Sequence, residues 1–88
     1  MATIIEEKSK NKPKNSYTSK LLDDGLSRIA QKIIEESGEV ALAGNNRDKN
    51  ETIQEMADLL YHLMVFLKAL DIPLNEVWKE LGNRMEQK

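Results

Sequence analysis

Cysteine is absent from the chain, which excludes disulfide scaffolds, thiolate zinc sites and thiol nucleophiles. An excess of basic residues is also missing: 13 Lys and Arg stand against 15 Asp and Glu, for a net charge of -2. This balance argues against a generic nucleic-acid-binding protein. Long apolar runs are absent, since the longest covers residues 63–67 and a bilayer-spanning helix needs about 20. Neither sustained alternation nor a hairpin dipeptide indicates a strand.

The N-terminus shows no apolar stretch typical of a secretory signal, so we expect a cytoplasmic protein that binds neither nucleic acid nor membrane. A chain of 88 residues is long enough for one domain only. Such a small domain buries only about 60–70% of the surface that its unfolded chain exposes. Without disulfides, oligomerisation or a bound metal is the expected source of extra stability.

Residues 1–15 are rich in lysine and polar residues, and we expect a connector there with a short helix around residues 2–8 as an option. Residues 16–88 are predicted to form one all-α domain. A long helix is predicted from Ser16–Thr18 to about Gly44, where two asparagines favour a turn. Its apolar residues recur at helical spacing: Leu22, Leu26, Ile29, Ile33 and Val40.

A second helix is predicted to start at a variant capping box formed by Asp48 and Glu51. It is apolar around most of its circumference, with a seam at Ile53, Met56, Leu60, Leu63, Leu67 and Leu70. The break 71–73 precedes a last amphipathic helix with Leu74, Val77, Trp78, Leu81 and Met85 on its apolar face. One short chain cannot cover the second helix. The predicted fold is therefore an all-α helical bundle, built on a long antiparallel helix pair and completed by homodimerisation into a four-helix-bundle-like core.

Acidic residues interrupt the inward faces of both long helices. At about 100° per residue, Glu36 points into the same sector as Ile29, with Glu39 at its border and Glu35 further out. On the second helix, the residues Glu55, Asp58 and His62 share one wedge with Val65 and Ala69. At about 1.5 Å per residue, Glu39 and Glu55 lie about 8 and 10 Å from the turn, so the two clusters face each other at one level.

Carboxylates that converge in a partly buried site must either take up protons or bind a cation. Oxygen ligands without cysteine favour Mg²⁺, with Mn²⁺ as an alternative, and such a metal commonly binds substrate phosphates. The nearby basic residues Lys20, Arg28 and Lys32 could neutralise phosphates that the metal does not reach. The competing interpretation is a set of solvated acids in which Arg28 and Lys32 pair with Glu35 and Glu36. His62 could bind phosphate or carry a proton, or it could be a hydrogen-bonded core residue.

Three segments resemble the phosphoribosyl-ATP pyrophosphohydrolase family, within the all-α MazG-type nucleotide pyrophosphohydrolases. They are Ser16-Tyr17-Thr18-x-Lys20-Leu21, Glu35-Glu36-x-x-Glu39-Val40 and the run from Ala57 to Leu63, with Glu55-x-x-Asp58 beside it. The resemblance covers residues 16–84. It implies Mg²⁺-dependent hydrolysis of 1-(5-phosphoribosyl)-ATP to 1-(5-phosphoribosyl)-AMP and pyrophosphate, the second step of histidine biosynthesis, by a cytoplasmic dimer. We expect a stand-alone domain without the cyclohydrolase to which some relatives are fused.

On this hypothesis, the metal ligands are Glu36, Glu39, Glu55 and Asp58. The residue that orients or deprotonates the attacking water is Glu35 or Glu55. The substrate-binding residues are Lys20, Arg28, Lys32 and His62. Two alternatives stay open: a house-cleaning pyrophosphohydrolase acting on nucleoside triphosphates, which would use the same acids, and a non-catalytic helical dimerisation module.

Overall fold

The computed structural model describes residues 17–86, and the predicted N-terminal segment and the Ser16 cap lie outside this range. Within it the chain forms helices α1 (Tyr17–Asp24), α2 (Leu26–Asn45), α3 (Lys49–Ala69) and α4 (Leu74–Glu86), and no strand. Helices α2 and α3 pack along each other as the long pair, and α1 packs against both. The all-α prediction is confirmed.

The prediction of one continuous helix from residues 16–18 to 44 is wrong at Gly25. This residue has φ of +96°, a backbone conformation that side-chain-bearing residues rarely adopt, and it separates α1 from α2. Hydrogen bonds from Gly25 N to the Leu21 carbonyl and from Ile29 N to the Gly25 carbonyl cross the break. The apolar periodicity therefore continues through the break, which is why the spacing alone did not reveal it.

The connection between α2 and α3 is short and fully hydrogen-bonded. Arg47 N donates to the Gly44 carbonyl and Asp48 N to the Ala43 carbonyl, the pair of bonds that defines a Schellman motif. Arg47 occupies the left-handed position of this motif, with φ of 60°. The predicted cap of α3 is confirmed, because a side-chain oxygen of Asp48 accepts a hydrogen bond from Glu51 N at 3.1 Å. This turn fixes the register of the two long helices.

The predicted break after α3 is also confirmed, and it repeats the same cap. Asp71 has φ of 59°, its N–H donates to the Lys68 carbonyl, and Ile72 N donates to the Leu67 carbonyl. Pro73 follows, which cannot continue the helix hydrogen-bond ladder. The chain thus leaves α3 sharply before α4 begins.

The core lies where α1, α2 and α3 meet. Leu21, Ile29 and Val65 are buried there and pack together. Partly buried side chains surround them: Leu22, Ile33, Tyr61, Met64 and Phe66. Of the inward-facing residues predicted from spacing, Ile29 and Val65 are fully buried, whereas Ala69 is exposed. This core is small for a domain of this size.

Much of the apolar surface is not covered by the chain itself. The exposed residues include five of the six predicted seam positions of α3, namely Ile53, Met56, Leu60, Leu63 and Leu70. On α4 they include Val77, Trp78, Leu81 and Met85. Among the described helices, none combines the length and apolarity needed to cross a bilayer.

Candidate metal and nucleotide site

Three carboxylates from the two long helices converge. One oxygen each of Glu36, Glu39 and Glu55 lies within 4.8 Å of the others. Glu36 is buried and Glu55 is partly buried, whereas Glu39 is exposed at the edge. The convergence follows from the antiparallel pairing across a short turn, as the spacing predicts. Three of the four predicted metal ligands therefore meet at one point.

Two oxygens of this cluster are buried without a hydrogen-bond partner among the described residues, Oε2 of Glu36 and Oε2 of Glu55. An orphaned carboxylate oxygen in a buried position is costly unless something binds it. An all-oxygen donor set favours a hard divalent cation. The residues present therefore fit a Mg²⁺ or Mn²⁺ ion.

The electrostatics of Glu55 agree with this interpretation. The neighbouring Glu39 carboxyl, with which Glu55 can share a proton, has the largest effect on the Glu55 pKa. Burial and the nearby Glu51 add to it, and together they raise the pKa to about 8. Without a cation, one carboxyl of the cluster thus keeps a proton near neutral pH. A bound cation would replace that proton.

Lys32 borders the cluster on the α2 side. Its Nζ lies 3.6 Å from carboxylate oxygens of both Glu35 and Glu36, and its side chain is only 21% exposed. Burial alone would lower the Lys32 pKa, but the nearby Tyr17, Glu35 and Glu36 raise it more. Lys32 therefore keeps its positive charge beside the acids.

A cleft of about 410 Å³ opens next to the cluster, between α2 and α3 at the end nearest the turn. Glu39, Glu51 and Glu55 line it, and Asn46 and Asp48 lie at the turn end. Glu51 was predicted only as part of the α3 cap. Its four-residue spacing from Glu55, which puts both on one helix face, was the signal that could have placed it in the site.

The other predicted site residues have different surroundings. Asp58 is exposed and does not belong to the converging carboxylate group found among residues 17–86. Glu35 is exposed and paired with Lys32. Lys20 is exposed on α1, 3.6 Å from Asp24. Arg28 is exposed and donates a hydrogen bond to Gln31.

His62 is buried, and both of its ring nitrogens have hydrogen-bond partners. Its Nε2 lies 2.8 Å from the hydroxyl of Tyr17 and its Nδ1 lies 2.7 Å from the backbone carbonyl of Asp58. The Tyr17 ring stacks on Tyr61, whose hydroxyl hydrogen-bonds Thr18 Oγ1. These contacts attach α1 to α3. Tyr17 lies in the segment Ser16-Tyr17-Thr18-x-Lys20-Leu21, one of the three that resemble the family, but no role was predicted for it.

Comparison with known proteins shows which family the chain belongs to. The family described as phosphoribosyl-ATP pyrophosphohydrolase matches residues 1–85. A phosphoribosyl-ATP pyrophosphatase of Clostridium botulinum is 42% identical over 84 residues, which cover 96% of this chain and 76% of the relative. The chain belongs to the phosphoribosyl-ATP pyrophosphohydrolase family. The predicted family is thereby confirmed, and the relatives named as pyrophosphatases argue against the alternative of a non-catalytic module.

Two further relatives show how family members are organised. The phosphoribosyl-ATP pyrophosphatase of Azorhizobium caulinodans is 53% identical over 72 residues, covering 82% of this chain and 66% of the relative. The histidine biosynthesis bifunctional protein HisIE of Staphylococcus epidermidis is 39% identical over 88 residues. That alignment covers 100% of this chain but only 42% of the relative. The chain therefore spans less than half of this bifunctional relative.

Proposed function

We propose that this chain hydrolyses 1-(5-phosphoribosyl)-ATP to 1-(5-phosphoribosyl)-AMP and pyrophosphate, the second step of histidine biosynthesis, with Mg²⁺ as cofactor. The observation that carries the proposal is the convergence of Glu36, Glu39 and Glu55 within 4.8 Å, in a member of this family. Relatives named phosphoribosyl-ATP pyrophosphatase and histidine biosynthesis bifunctional protein support the substrate and the pathway.

The metal would be held by Glu36, Glu39 and Glu55, with Asp58 as a further ligand. When bound, Mg²⁺ supplies positive charge that stabilises the departing pyrophosphate. Asp58 is exposed and lies one turn beyond Glu55 on α3, outside the converging triad. The orphaned oxygens of Glu36 and Glu55 support binding of a cation between the two long helices.

A free carboxylate would orient or deprotonate the attacking water, and the candidates are Glu35 and Glu55. Glu35 is exposed and its only described ion pair is with Lys32, so it stays available to a water molecule. Lys32, already beside the cluster, would neutralise a phosphate that approaches it. Lys20 and Arg28, both exposed, would bind phosphates further out. Catalysis would then rest on placement and charge neutralisation by two rigid helices.

We also propose that the chain works as a cytoplasmic homodimer. The α3 seam of Ile53, Met56, Leu60 and Leu63 is exposed along one helix, and exposed apolar stripes of this length mark interfaces. A second copy would cover the stripe by pairing two long hairpins into a four-helix core.

Product analysis tests the reaction. The purified chain is incubated with phosphoribosyl-ATP, and separately with ATP and deoxynucleoside triphosphates, with Mg²⁺ or with a chelator. We expect pyrophosphate release from phosphoribosyl-ATP only, and only with the metal present. Preference for ordinary nucleoside triphosphates would support the house-cleaning alternative instead.

Two isosteric variants test the ligands. Glu39→Gln and Asp58→Asn are expected to stay folded and to lose pyrophosphate release by at least about 100-fold, since each removes a charge that must meet the metal. Glu76→Gln on α4 makes the same change far from the cluster along the chain and should retain activity. If Asp58→Asn were fully active, Asp58 would not be a ligand.

A further inference from the structure

The tautomer of His62 follows from its two hydrogen-bond partners. The partner of Nδ1 is the backbone carbonyl of Asp58 at 2.7 Å, and a carbonyl oxygen can only accept. Nδ1 therefore carries the proton. In the neutral ring Nε2 is then unprotonated and can only accept.

The hydroxyl of Tyr17 lies 2.8 Å from that Nε2. Because Nε2 can only accept, Tyr17 must donate its single proton to His62. The phenolic oxygen then has only lone pairs to offer to any other group. Tyr17 can accept a hydrogen bond from a ligand, but it cannot donate one to a phosphate oxygen.

Tyr17 is accessible from solvent and lies within electrostatic reach of the acidic site. About half of the residue is exposed, at 48%, although its hydroxyl is held by the buried His62. Burial of the phenol raises the Tyr17 pKa, and Lys32 and Glu36 have opposite effects on it, so both lie within electrostatic reach. The hydroxyl therefore stays neutral, and its contact with His62 holds it between α1 and α3.

We propose, on the basis of the function proposed above, that Tyr17 is a substrate-binding residue and that His62 is its positioning residue. His62 turns the Tyr17 oxygen into an acceptor for a neutral hydrogen-bond donor of the nucleoside part of the substrate, a sugar hydroxyl or the base nitrogen substituent. Phosphates are bound elsewhere, by the metal and the cationic side chains. The Asp58 carbonyl, which fixes the His62 tautomer, thus acts on nucleoside binding through its backbone.

The tautomer can be tested without any substrate. Long-range proton–nitrogen NMR spectra of the ¹⁵N-labelled chain should show Nδ1 as the protonated nitrogen of His62 and Nε2 as the unprotonated one. Tyr17→Phe should shift the Nε2 resonance and leave Nδ1 nearly unchanged. A spectrum with the proton on Nε2 would overturn the proposal, and this result does not depend on which substrate the chain hydrolyses.

Binding of the two reaction products then tests contacts to the nucleoside and contacts to the phosphates separately. Calorimetric titrations use phosphoribosyl-AMP, which carries neutral donors, and pyrophosphate, which has none when it is fully deprotonated, so they are run at alkaline pH. Tyr17→Phe and His62→Asn should each weaken phosphoribosyl-AMP binding by about 3–10-fold, the effect of one neutral hydrogen bond, and change pyrophosphate binding less than about twofold. Lys32→Met should show the opposite selectivity. Loss of pyrophosphate affinity in Tyr17→Phe would instead mean that Tyr17 acts by holding Lys32, and would overturn the proposal.

Three variants distinguish positioning from simple loss of structure. His62→Gln places an amide oxygen near the position of Nε2 and should restore binding relative to His62→Asn, which keeps only the group near Nδ1. The double variant Tyr17→Phe with His62→Asn should bind phosphoribosyl-AMP no more weakly than Tyr17→Phe alone, since His62 acts through Tyr17. Tyr61→Phe removes the neighbouring hydroxyl that also attaches α1 and should leave binding unchanged. An equal loss in Tyr61→Phe would show that α1 attachment alone matters.

Titrations with AMP and with 2′,3′-dideoxy-AMP identify which group donates the hydrogen bond to Tyr17. The dideoxy compound keeps the amino group but lacks the sugar hydroxyls. If a sugar hydroxyl of the adenosine half is the donor, the penalty of Tyr17→Phe is present with AMP and absent with the dideoxy compound. If the amino group is the donor, the penalty is the same for both. If Tyr17→Phe bound each compound as tightly as the unchanged chain does, Tyr17 would not contact the adenosine half.

Discussion

The Nζ atom of Lys32 lies 3.6 Å from Oε1 of Glu36, so a cationic side chain already borders the carboxylate cluster on one side. Glu36 is the most buried acid of the three, and one of its oxygens bonds to no described group. The same ammonium can therefore repel an incoming divalent cation and attract the phosphates that follow it. Its removal should change the two kinds of binding in opposite directions.

We expect Lys32→Met to bind Mg²⁺ roughly 3–10-fold more tightly, because a like charge near the site is removed. The same variant should bind pyrophosphate roughly 10-fold more weakly, since a charge-assisted contact is lost. Calorimetric titration of each ligand measures both effects. Lys79→Met on α4 serves as the control and should change neither. Weaker Mg²⁺ binding in Lys32→Met would contradict the assigned position of this residue.

Metal binding should stabilise the fold. At a Mg²⁺ concentration about 100 times Kd, linkage adds about 2.7 kcal/mol, which raises Tm by roughly 10–20 °C in a domain of this size. Scanning calorimetry with and without the metal measures the shift. Glu39→Gln and Glu55→Gln should abolish it, whereas Glu76→Gln should show the full shift. An unchanged Tm in the original chain over this concentration range would mean that the cluster is a set of solvated acids.

The raised pKa of Glu55 predicts a pH-dependent stability in the absence of metal. The folded chain holds this proton up to about pH 8, whereas the unfolded chain releases it near the ordinary value of 4.5. The folded state therefore binds more protons between these values, and stability must fall as pH rises through this window. Urea unfolding in a chelator should show the fall, and Glu55→Gln should remove that part of the pH dependence. If the unfolding free energy of the original chain rose with pH relative to that of Glu55→Gln, the prediction would be contradicted.

Arg47 adopts a left-handed conformation, with φ of 60°, at the position of the Schellman motif where glycine is preferred. Replacement by glycine should therefore stabilise the chain, by about 0.5–1 kcal/mol, because glycine adopts this backbone conformation without steric strain. Asp71→Gly is the matched change at the end of α3 and should gain less, since aspartate tolerates this conformation better. Urea denaturation measures both. Destabilisation by Arg47→Gly would indicate that the Arg47 side chain makes a contact worth more than the strain.

The exposed α3 seam predicts the position of a subunit interface. Leu60→Asp places a charge in the middle of the stripe and should convert a dimer to a monomer, because an unpaired charge in an apolar interface is not tolerated. Gln54→Asp, on the same helix beside the stripe, should remain dimeric. Sedimentation velocity distinguishes the two. A dimer that persists in Leu60→Asp would place the interface elsewhere.

How much of the molecule was predictable depended on whether the information was local. The helical spacing and the capping residue Asp48 were enough to predict where α2 ends, where α3 begins and that Glu36, Glu39 and Glu55 meet. The break at Gly25 was not predictable from spacing, because the apolar period runs through it and only the backbone angle shows it.

The side-chain hydrogen-bond partner of His62 could not be predicted from the sequence either. Spacing correctly placed His62 on the inward face of α3, but its partner Tyr17 lies 45 positions away and arrives only because α1 packs against α3. Asp58 shows what helical direction alone does not predict. It points the same way from α3 as Glu55, yet it lies one turn further from the point where the acids of the two helices meet. Glu51, one turn in the other direction, lines the cleft instead.

The length of the tight connection 46–48 determines where Glu55 on α3 lies relative to Glu39 on α2. Each residue added there would carry Glu55 about 1.5 Å along α3 and about 100° around it relative to Glu39, if the helix winds as a unit. Surface loops usually tolerate insertions well. Here a single extra amino acid would turn Glu55 away from Glu39 and Val65 away from the core together, so the length of this connection sets both the carboxylate cluster and the packing of the two long helices.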